Sequence, residues 1–128
     1  MTVLLDTHAF LWFVLDSPQL SDTARELIAD PASDVLVSPA SYWEIAIKVS
    51  LSKLDLHASY EEFMARGIEG NQFDVLPINT RHTAVVSKLP FHHRDPFDRL
   101  LVAQATVEQL AIVSADSALD AYEVTRLW

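Results

Sequence analysis

The chain has 128 residues, of which 50% are hydrophobic, only two are glycine and none is cysteine. This composition predicts one domain with a substantial core and excludes a disordered chain, a disulfide framework and a thiolate metal site. The net charge of −9 argues against nucleic acid as a partner, since phosphate binding usually rests on Lys and Arg, although a bound cation can reverse the local potential.

The sequence shows neither a signal peptide nor a membrane-spanning segment. No basic segment precedes the first apolar run, and no stretch reaches the length that spans a membrane. We therefore expect a soluble, cytoplasmic protein in which residues 1–128 form a single domain.

Short apolar strands alternate with helices along the chain. Val3-Leu4-Leu5 is a continuous apolar run, which is typical of a strand buried on both faces of a parallel sheet. Ser21 and the capping box Ser59-Tyr60-Glu61-Glu62 begin two of the helices, and Pro39 occupies the first turn of another. The predicted strands are 3–5, 35–37, 73–76, 111–114 and a candidate fifth at 122–127, and the predicted helices are 9–15, 20–28, 39–54, 59–68, 80–89 and 95–103.

This alternation predicts right-handed crossovers and a three-layer α/β/α fold whose central parallel sheet has four to five short strands. Trp12, Phe13 and Trp43 are expected in the core rather than on base-stacking surfaces. The apolar residues in segments 10–14 and 42–54 exceed what one small core needs. Some of them should therefore be exposed on a monomer and mark an interface for self-association.

Four acidic residues fall near one edge of the predicted sheet. Asp6 ends the first strand and Asp116 follows the fourth, while Glu44 and Asp98 lie early in helices. In open α/β sheets, ligands bind at the carboxyl ends of the strands. Oxygen ligands favour hard cations such as Mg2+ or Mn2+, and clustered carboxylates would repel one another without such an ion. The four acids together predict a metal site.

Each acid also has a purely structural explanation. Asp6 and Asp116 could cap helices, and Glu44 could pair with Lys48 four residues later. Asp95-Pro96-Phe97-Asp98 forms a plausible capping box, which explains its first acid better than its second. The metal site is favoured because four independent structural acids would all have to lie at one edge by chance.

Other candidate motifs carry less weight. His92-His93-Arg94 could bind phosphate, but a polar loop before a helix is the more usual interpretation. His8 could line the cleft, without an assigned catalytic role. The sequence contains no Gly-rich phosphate loop and no nucleophile elbow.

The acidic motifs resemble, in order and spacing, those of PIN domains, and more narrowly those of VapC-like toxin ribonucleases of bacterial toxin–antitoxin pairs. The resemblance covers essentially the whole chain and rests on the segments Leu4-Leu5-Asp6-Thr7-His8, Trp43-Glu44-Ile45-Ala46-Ile47-Lys48, Asp95-Pro96-Phe97-Asp98-Arg99 and Ser114-Ala115-Asp116. It implies a PIN-like fold, a Mg2+- or Mn2+-dependent endoribonuclease, a homodimer, and inhibition by a small antitoxin whose tail enters the cleft.

The resemblance also implies a set of site residues. The catalytic and metal-binding acids it implies are Asp6, Glu44, Asp98 and Asp116. Asp95 is a secondary candidate. After the fourth acid, the turn Ser117-Ala118-Leu119 lacks the Phe that many relatives carry there. The predicted contacts to RNA phosphates, which would position the strand without reading its sequence, are Lys48, Arg94 and Arg99.

Two other functions fit parts of the sequence. The chain could be a phosphohydrolase or phosphoacceptor domain in which Asp6 takes a phosphoryl group, but that class usually has a second acid where Thr7-His8 stands. It could also be a catalytically silent binding module that keeps the fold and has lost the metal. Intact acids at all four positions argue against that alternative.

Overall fold

A parallel sheet of five short strands forms the centre of the molecule, and apolar clusters cover both of its faces. The computed structural model describes all 128 residues. The strands are β1 (Thr2–Leu5), β2 (Asp34–Val37), β3 (Asp74–Val75), β4 (Ala111–Val113) and β5 (Arg126–Leu127). The helices are α1 (Thr7–Val14), α2 (Asp22–Ala29), α3 (Pro39–Ser50), α4 (Tyr60–Met64, continued by a π-helical turn at Ala65–Glu69), α5 (Thr80–Val86) and α6 (Pro96–Glu108), with a 3-10 turn at Ser117–Ala121. The predicted α/β fold is confirmed.

The strand order is β3-β2-β1-β4-β5, and every neighbouring pair is parallel. In the central strand, Val3 lies opposite Val35 of β2 on one side and Ala111 of β4 on the other. The chain builds outward from β1 to β3 and then returns to add β4 on the opposite side of β1. The strand order therefore reverses between β1 and β4, and in open α/β sheets the crevice at such a reversal binds ligands.

Both faces of β1 are buried, as its continuous apolar run predicts. Val3 and Leu5 belong to the larger hydrophobic cluster, while Leu4 points into the smaller one. In the larger cluster Phe10 and Phe63 are fully buried and meet edge to face, with ring centroids 6.1 Å apart. The sheet is thus held between two apolar layers, and none of the helices is long and apolar enough to cross a membrane.

Several element ends differ from the sequence-based bounds. Helix α1 begins at Thr7 because the side chain of Asp6 already caps it. Helix α3 ends at Ser50 rather than at residue 54, and β3 has only two residues. The predicted helix at 59–68 is α for five residues and then widens into the π-helical turn. Such ends are set by capping and by the extent of tertiary contacts, which the apolar pattern alone does not define.

The prediction that Trp43 lies in the core is wrong, since 66% of this residue is exposed. The buried face of α3 carries Ala40, Ser41, Glu44 and Ile45. Trp43 lies on another face of the same helix, so its size and apolarity did not decide its burial.

The expected surplus of exposed apolar residues is found in α3 rather than in α1. Phe10 and Leu11 are buried, so they do not contribute to the exposed apolar surface. Trp12 and Phe13 are half-buried and pack against the larger cluster, as predicted. Trp43 in α3 and Leu51 just after this helix supply exposed apolar surface.

Candidate active site

Asp6 and Asp116 follow the two strands between which the strand order reverses. Asp6 comes directly after β1 and is 5% exposed, and its Oδ1 accepts the backbone N–H of Ala9 at 2.8 Å. Asp116 lies just beyond β4 and is half-buried, and its Oδ1 accepts the N–H of Ala118 at 3.0 Å. Each acid therefore caps the turn that follows it, as the structural explanation expected, and each also lies at the edge where ligands bind.

Burial raises the pKa of Asp6 above its ordinary value, and the charge of Glu44 adds to this rise. Three neighbours oppose it by stabilising the ionised form: the side chain of Ser114, the N–H of Ala9 and, more weakly, the exposed His8. A carboxylate that is removed from water and faces another acid is costly to ionise. The environment that the fold gives Asp6 therefore disfavours the ionised form of its carboxyl group.

Glu44 is also nearly enclosed, with 5% exposure. Its Oε2 accepts a hydrogen bond from Nζ of Lys48 at 2.8 Å, so the predicted i, i+4 ion pair is present. The negative charge of Glu44 raises the pKa of both Asp6 and Asp98, which indicates that the three carboxyl groups lie close together. Lys48 is engaged with this acid, and its contact with RNA phosphate stays a prediction.

The two acids at the start of α6 have different environments. Oδ1 of Asp95 accepts the N–H groups of Phe97 at 2.8 Å and of Asp98 at 3.1 Å, which confirms its role as N-cap. Asp98 lies one turn into the helix, where burial and the charges of Asp95 and Asp6 raise its pKa to about 7. Its carboxyl group therefore resists ionisation in the protein without a cation.

His93 joins the acids, although the sequence analysis considered it only as part of a polar loop that could bind phosphate. Its Nε2 lies 2.7 Å from Oδ2 of Asp116 and 3.3 Å from Oδ2 of Asp98. Its Nδ1 accepts the N–H of Asp95, two residues later, at 3.0 Å. Only that local contact could have been expected from the sequence, as a His just before a helix cap. Its approach to Asp116 crosses 23 positions of the chain.

The two predicted arginine contacts to RNA have different surroundings. Arg99 is 5% exposed, and its guanidinium donates hydrogen bonds to backbone carbonyl groups, including those of Pro90 at 2.9 Å and Leu89 at 3.1 Å. Most donors of Arg99 are therefore used inside the protein, and its contact with RNA phosphates stays a prediction. Arg94 is exposed, and its role in RNA binding stays a prediction.

The fold thus brings distant acids to one place. The potential ligand atoms of His93, Asp98 and Asp116 lie within 4.8 Å of one another. Asp6 and Glu44 stand outside that group but act on Asp98 through their charges. The residues fit a hard divalent cation, because it would offset the burial and the repulsion that raise the pKa of Asp98, and because carboxylate oxygens are its preferred ligands.

Residues 3–124 match the family model of the PIN domain, which is nearly the whole chain. The chain belongs to the PIN domain family. PIN domains are generally nucleases that use divalent metal ions, and the acidic cluster of this PIN domain has the chemistry that such an ion requires. No curated protein sequence matches the chain.

Solved structures with little sequence similarity share the fold of this PIN domain. VapBC2 from Rickettsia felis, bound to a DNA fragment from its promoter, has 16% identity and a TM-score of 0.71, covering 99% of this chain and 98% of the other. FitAcB from Neisseria gonorrhoeae has 22% identity and a TM-score of 0.68, covering 100% and 97% of the two chains. FitAB bound to an IR36 DNA fragment has 18% identity and a TM-score of 0.67, covering 99% and 94%.

Proposed function

We propose that this PIN domain is a Mg2+- or Mn2+-dependent endoribonuclease and the toxin of a toxin–antitoxin pair. The observation that carries the proposal is the group of carboxylates at the reversal of strand order, where burial and the charges of Asp95, Asp6 and, least of these, Glu44 raise the pKa of Asp98 to about 7. Carboxylates that only cap helices gain nothing from lying close enough to repel one another. A bound cation, in contrast, requires several carboxylates close together and offsets their repulsion.

The catalytic set that we propose is Asp6, Glu44, Asp98 and Asp116. The three aspartates would hold the ion or ions, which when bound would activate water and stabilise charge on the phosphoryl oxygens. Glu44 would orient water or a second ion. Its ion pair with Lys48 keeps the positively charged ammonium group of that lysine beside the cleft. Lys48 and the exposed Arg94 would contact RNA phosphates and position the strand.

The proposed protein partner is a small antitoxin. The motif resemblance to VapC-like toxins supports this assignment, as does the fold shared with chains in the VapBC2 and FitAB structures. A tail of the antitoxin that carries Arg would complement the acidic cleft, because guanidinium and carboxylate form strong, often bidentate hydrogen bonds. We further propose that residues 1–128 form one domain, since both hydrophobic clusters pack against the same sheet. The cytoplasm is its proposed location.

A homodimer is the proposed assembly, and an exposed apolar groove beside the acids supports it. Trp43 meets Phe97 edge to face with centroids 5.5 Å apart, and each immediately precedes an acid of the site. The groove has a volume of about 300 Å³ and is lined by Trp43, Ile47, Thr83, Val86, Pro96, Phe97 and Leu100. Contiguous exposed apolar surface is a recognised feature of protein interfaces.

RNA cleavage with and without metal tests the proposed activity. We expect protein treated with EDTA to be inactive, and Mn2+ or Mg2+ to restore cleavage. Asp6→Asn should remove most of that activity while the fold persists, because the change deletes charge but little volume. Asp74→Asn, in an exposed strand residue far along the sheet, is the matched control and should cleave RNA like the wild type.

Three outcomes separate the candidate functions. Robust RNA cleavage by metal-free protein in excess EDTA would contradict the metal-dependent mechanism. Phosphorylated Asp6 would support the phosphoacceptor alternative, and neither activity would support a silent binding module.

A further inference from the structure

Two buried residues, Tyr122 and Arg99, hold the loop that joins α5 to α6. The hydroxyl group of Tyr122 donates to the carbonyl of Pro90 at 2.8 Å and accepts the N–H of His93 at 3.0 Å. From the other side, Arg99 donates to the carbonyl groups of Pro90 and Leu89. Residue 93 is therefore held by contacts that do not involve its own imidazole.

The same loop determines which nitrogen of His93 carries the proton. The N–H of Asp95 points at Nδ1 from 3.0 Å, so Nδ1 must offer its lone pair and the ring proton lies on Nε2. Nε2 then donates to Oδ2 of Asp116 at 2.7 Å, within the range of a strong charge-assisted hydrogen bond. The backbone thus makes the imidazole a donor toward the acids.

This proton arrangement opposes direct metal binding by His93. A neutral imidazole that coordinates a cation through Nε2 must carry its proton on Nδ1. That proton would face the N–H of Asp95 at 3.0 Å, and two donors would meet. Although Nε2 lies close to Asp98 and Asp116, the geometry favours the acids as ligands and the histidine as their hydrogen-bond partner.

Asp116 is the acid that needs such a partner. It follows a strand end on a short turn, and its side chain is 41% exposed, so packing alone does not fix its direction. The N–H of Ala118 holds Oδ1, and His93 holds Oδ2 on the side that faces Asp98. Together these two donors leave one orientation of the carboxylate.

We propose that His93 is a positioning residue that directs the carboxylate of Asp116 toward Asp98 by donating from Nε2, and that it is not itself a metal ligand. This inference rests on the proposed function, since it concerns the ion that the acids would bind. Outer partners of this kind typically change metal affinity by about 10- to 100-fold when they are removed.

Two substitutions separate the two nitrogens of the ring. In His93→Asn the side-chain oxygen can still accept the N–H of Asp95, but no donor reaches Asp116. In His93→Gln the longer amide can still donate to Asp116. His92→Asn is the matched control, since this exposed neighbour in the same loop makes no hydrogen bond through its ring and contacts Tyr122 only edge to face.

Electron paramagnetic resonance of bound Mn2+, with no RNA present, gives the readout. We expect the Mn2+ dissociation constant to rise about tenfold or more in His93→Asn and to stay within about threefold of wild type in His93→Gln and His92→Asn. Electron spin echo modulation of the wild-type complex should show no directly coordinated nitrogen. Circular dichroism of each variant verifies that it is folded before titration.

The inference is overturned by a coordinated nitrogen in the wild-type spectrum, by wild-type affinity in His93→Asn, or by equal losses in both variants. Wild-type protein that binds no Mn2+ would instead overturn the proposed metal-dependent function, and this inference with it. The two failures are therefore distinguishable from the wild-type titration alone.

Discussion

Asp98 shows how much the chemistry of one residue depends on its neighbours. Burial, together with the charges of Asp95 and Asp6, raises its pKa from an ordinary 3.8 to about 7 in the folded protein. Between these two values the folded state binds a proton that the unfolded chain has released. The stability that this proton contributes is fully present below about pH 4 and is lost as the pH rises through about 7.

Removing this carboxyl group should therefore change the pH dependence of stability. In EDTA we expect Asp98→Asn to unfold with a free energy that exceeds wild type by on the order of 2 kcal/mol at pH 8, and with a smaller difference at pH 5. Urea unfolding at the two pH values measures both. Asp74→Asn is the control, because it removes the same charge from an exposed strand residue and changes the net charge of −9 equally. An equal increase in the free energy of unfolding of that variant would show that general charge repulsion, and not the site, is responsible.

Helix α6 illustrates how one element serves both the fold and the site. Its N-cap, Asp95, accepts two backbone N–H groups, and its first turn then presents Asp98 to the other acids. Its next residue, Arg99, turns back to bind carbonyl groups of the preceding loop. One helix start thus fixes its own beginning, supplies a candidate ligand and holds the loop that carries His93.

The division of roles within this helix start predicts different effects for its two acids. Asp95→Ala should cost on the order of 1 kcal/mol in stability, while Asp95→Asn should cost little because Asn is an equally good cap. Neither Asn variant should unfold the protein, but only Asp98→Asn should abolish RNA cleavage. Thermal melts and cleavage assays on the same samples test this. If Asp95→Asn abolishes cleavage and Asp98→Asn does not, the third ligand has been assigned to the wrong residue.

At the scale of the whole molecule, the exposed groove beside the acids is the feature that a monomer does not explain. Trp43 leaves 66% of its surface in water, although it is large and apolar and lies close to Ile45 and Ile47 in the sequence. Its partner Phe97 lies on a different helix, so the patch exists only in the folded chain. Exposing this apolar surface to water is unfavourable, and binding a second copy of the chain would bury it.

Sedimentation should therefore find the isolated wild-type protein as a dimer at micromolar concentrations, and Trp43→Glu as a folded monomer whose circular dichroism spectrum matches that of the wild type. The charge would be buried in the dimer but exposed in the monomer, so only the association should be lost. Leu51→Glu is the control, because Leu51 is 57% exposed at the end of α3 but does not line the groove. A wild-type protein that sediments as a monomer throughout this range contradicts the proposed assembly.

Contacts between near neighbours in the chain could be predicted from the sequence. The cap formed by Asp95 and the ion pair of Glu44 with Lys48 each join residues at most four positions apart, so their geometry follows from helix periodicity. The buried strand β1 followed from a run of apolar residues that only a two-sided environment accommodates. The approach of Asp6, Glu44 and Asp98 was predicted from the inferred sheet, because parallel strands put their carboxyl ends on one edge.

Tertiary structure alone decided which side chains are enclosed and which distant residues meet. Trp43 is exposed and Arg99 is buried because burial depends on which face of each helix packs against the sheet, and hydrophobicity does not specify that face. His93 reaches Asp116 because α6 and β4 carry the chain back to the same edge. The sequence by itself determined which acids are candidates for the site and in what order the helices and strands follow. The partners of those acids were determined by the return of the chain across the sheet, since such long-range contacts have no local periodicity in the sequence.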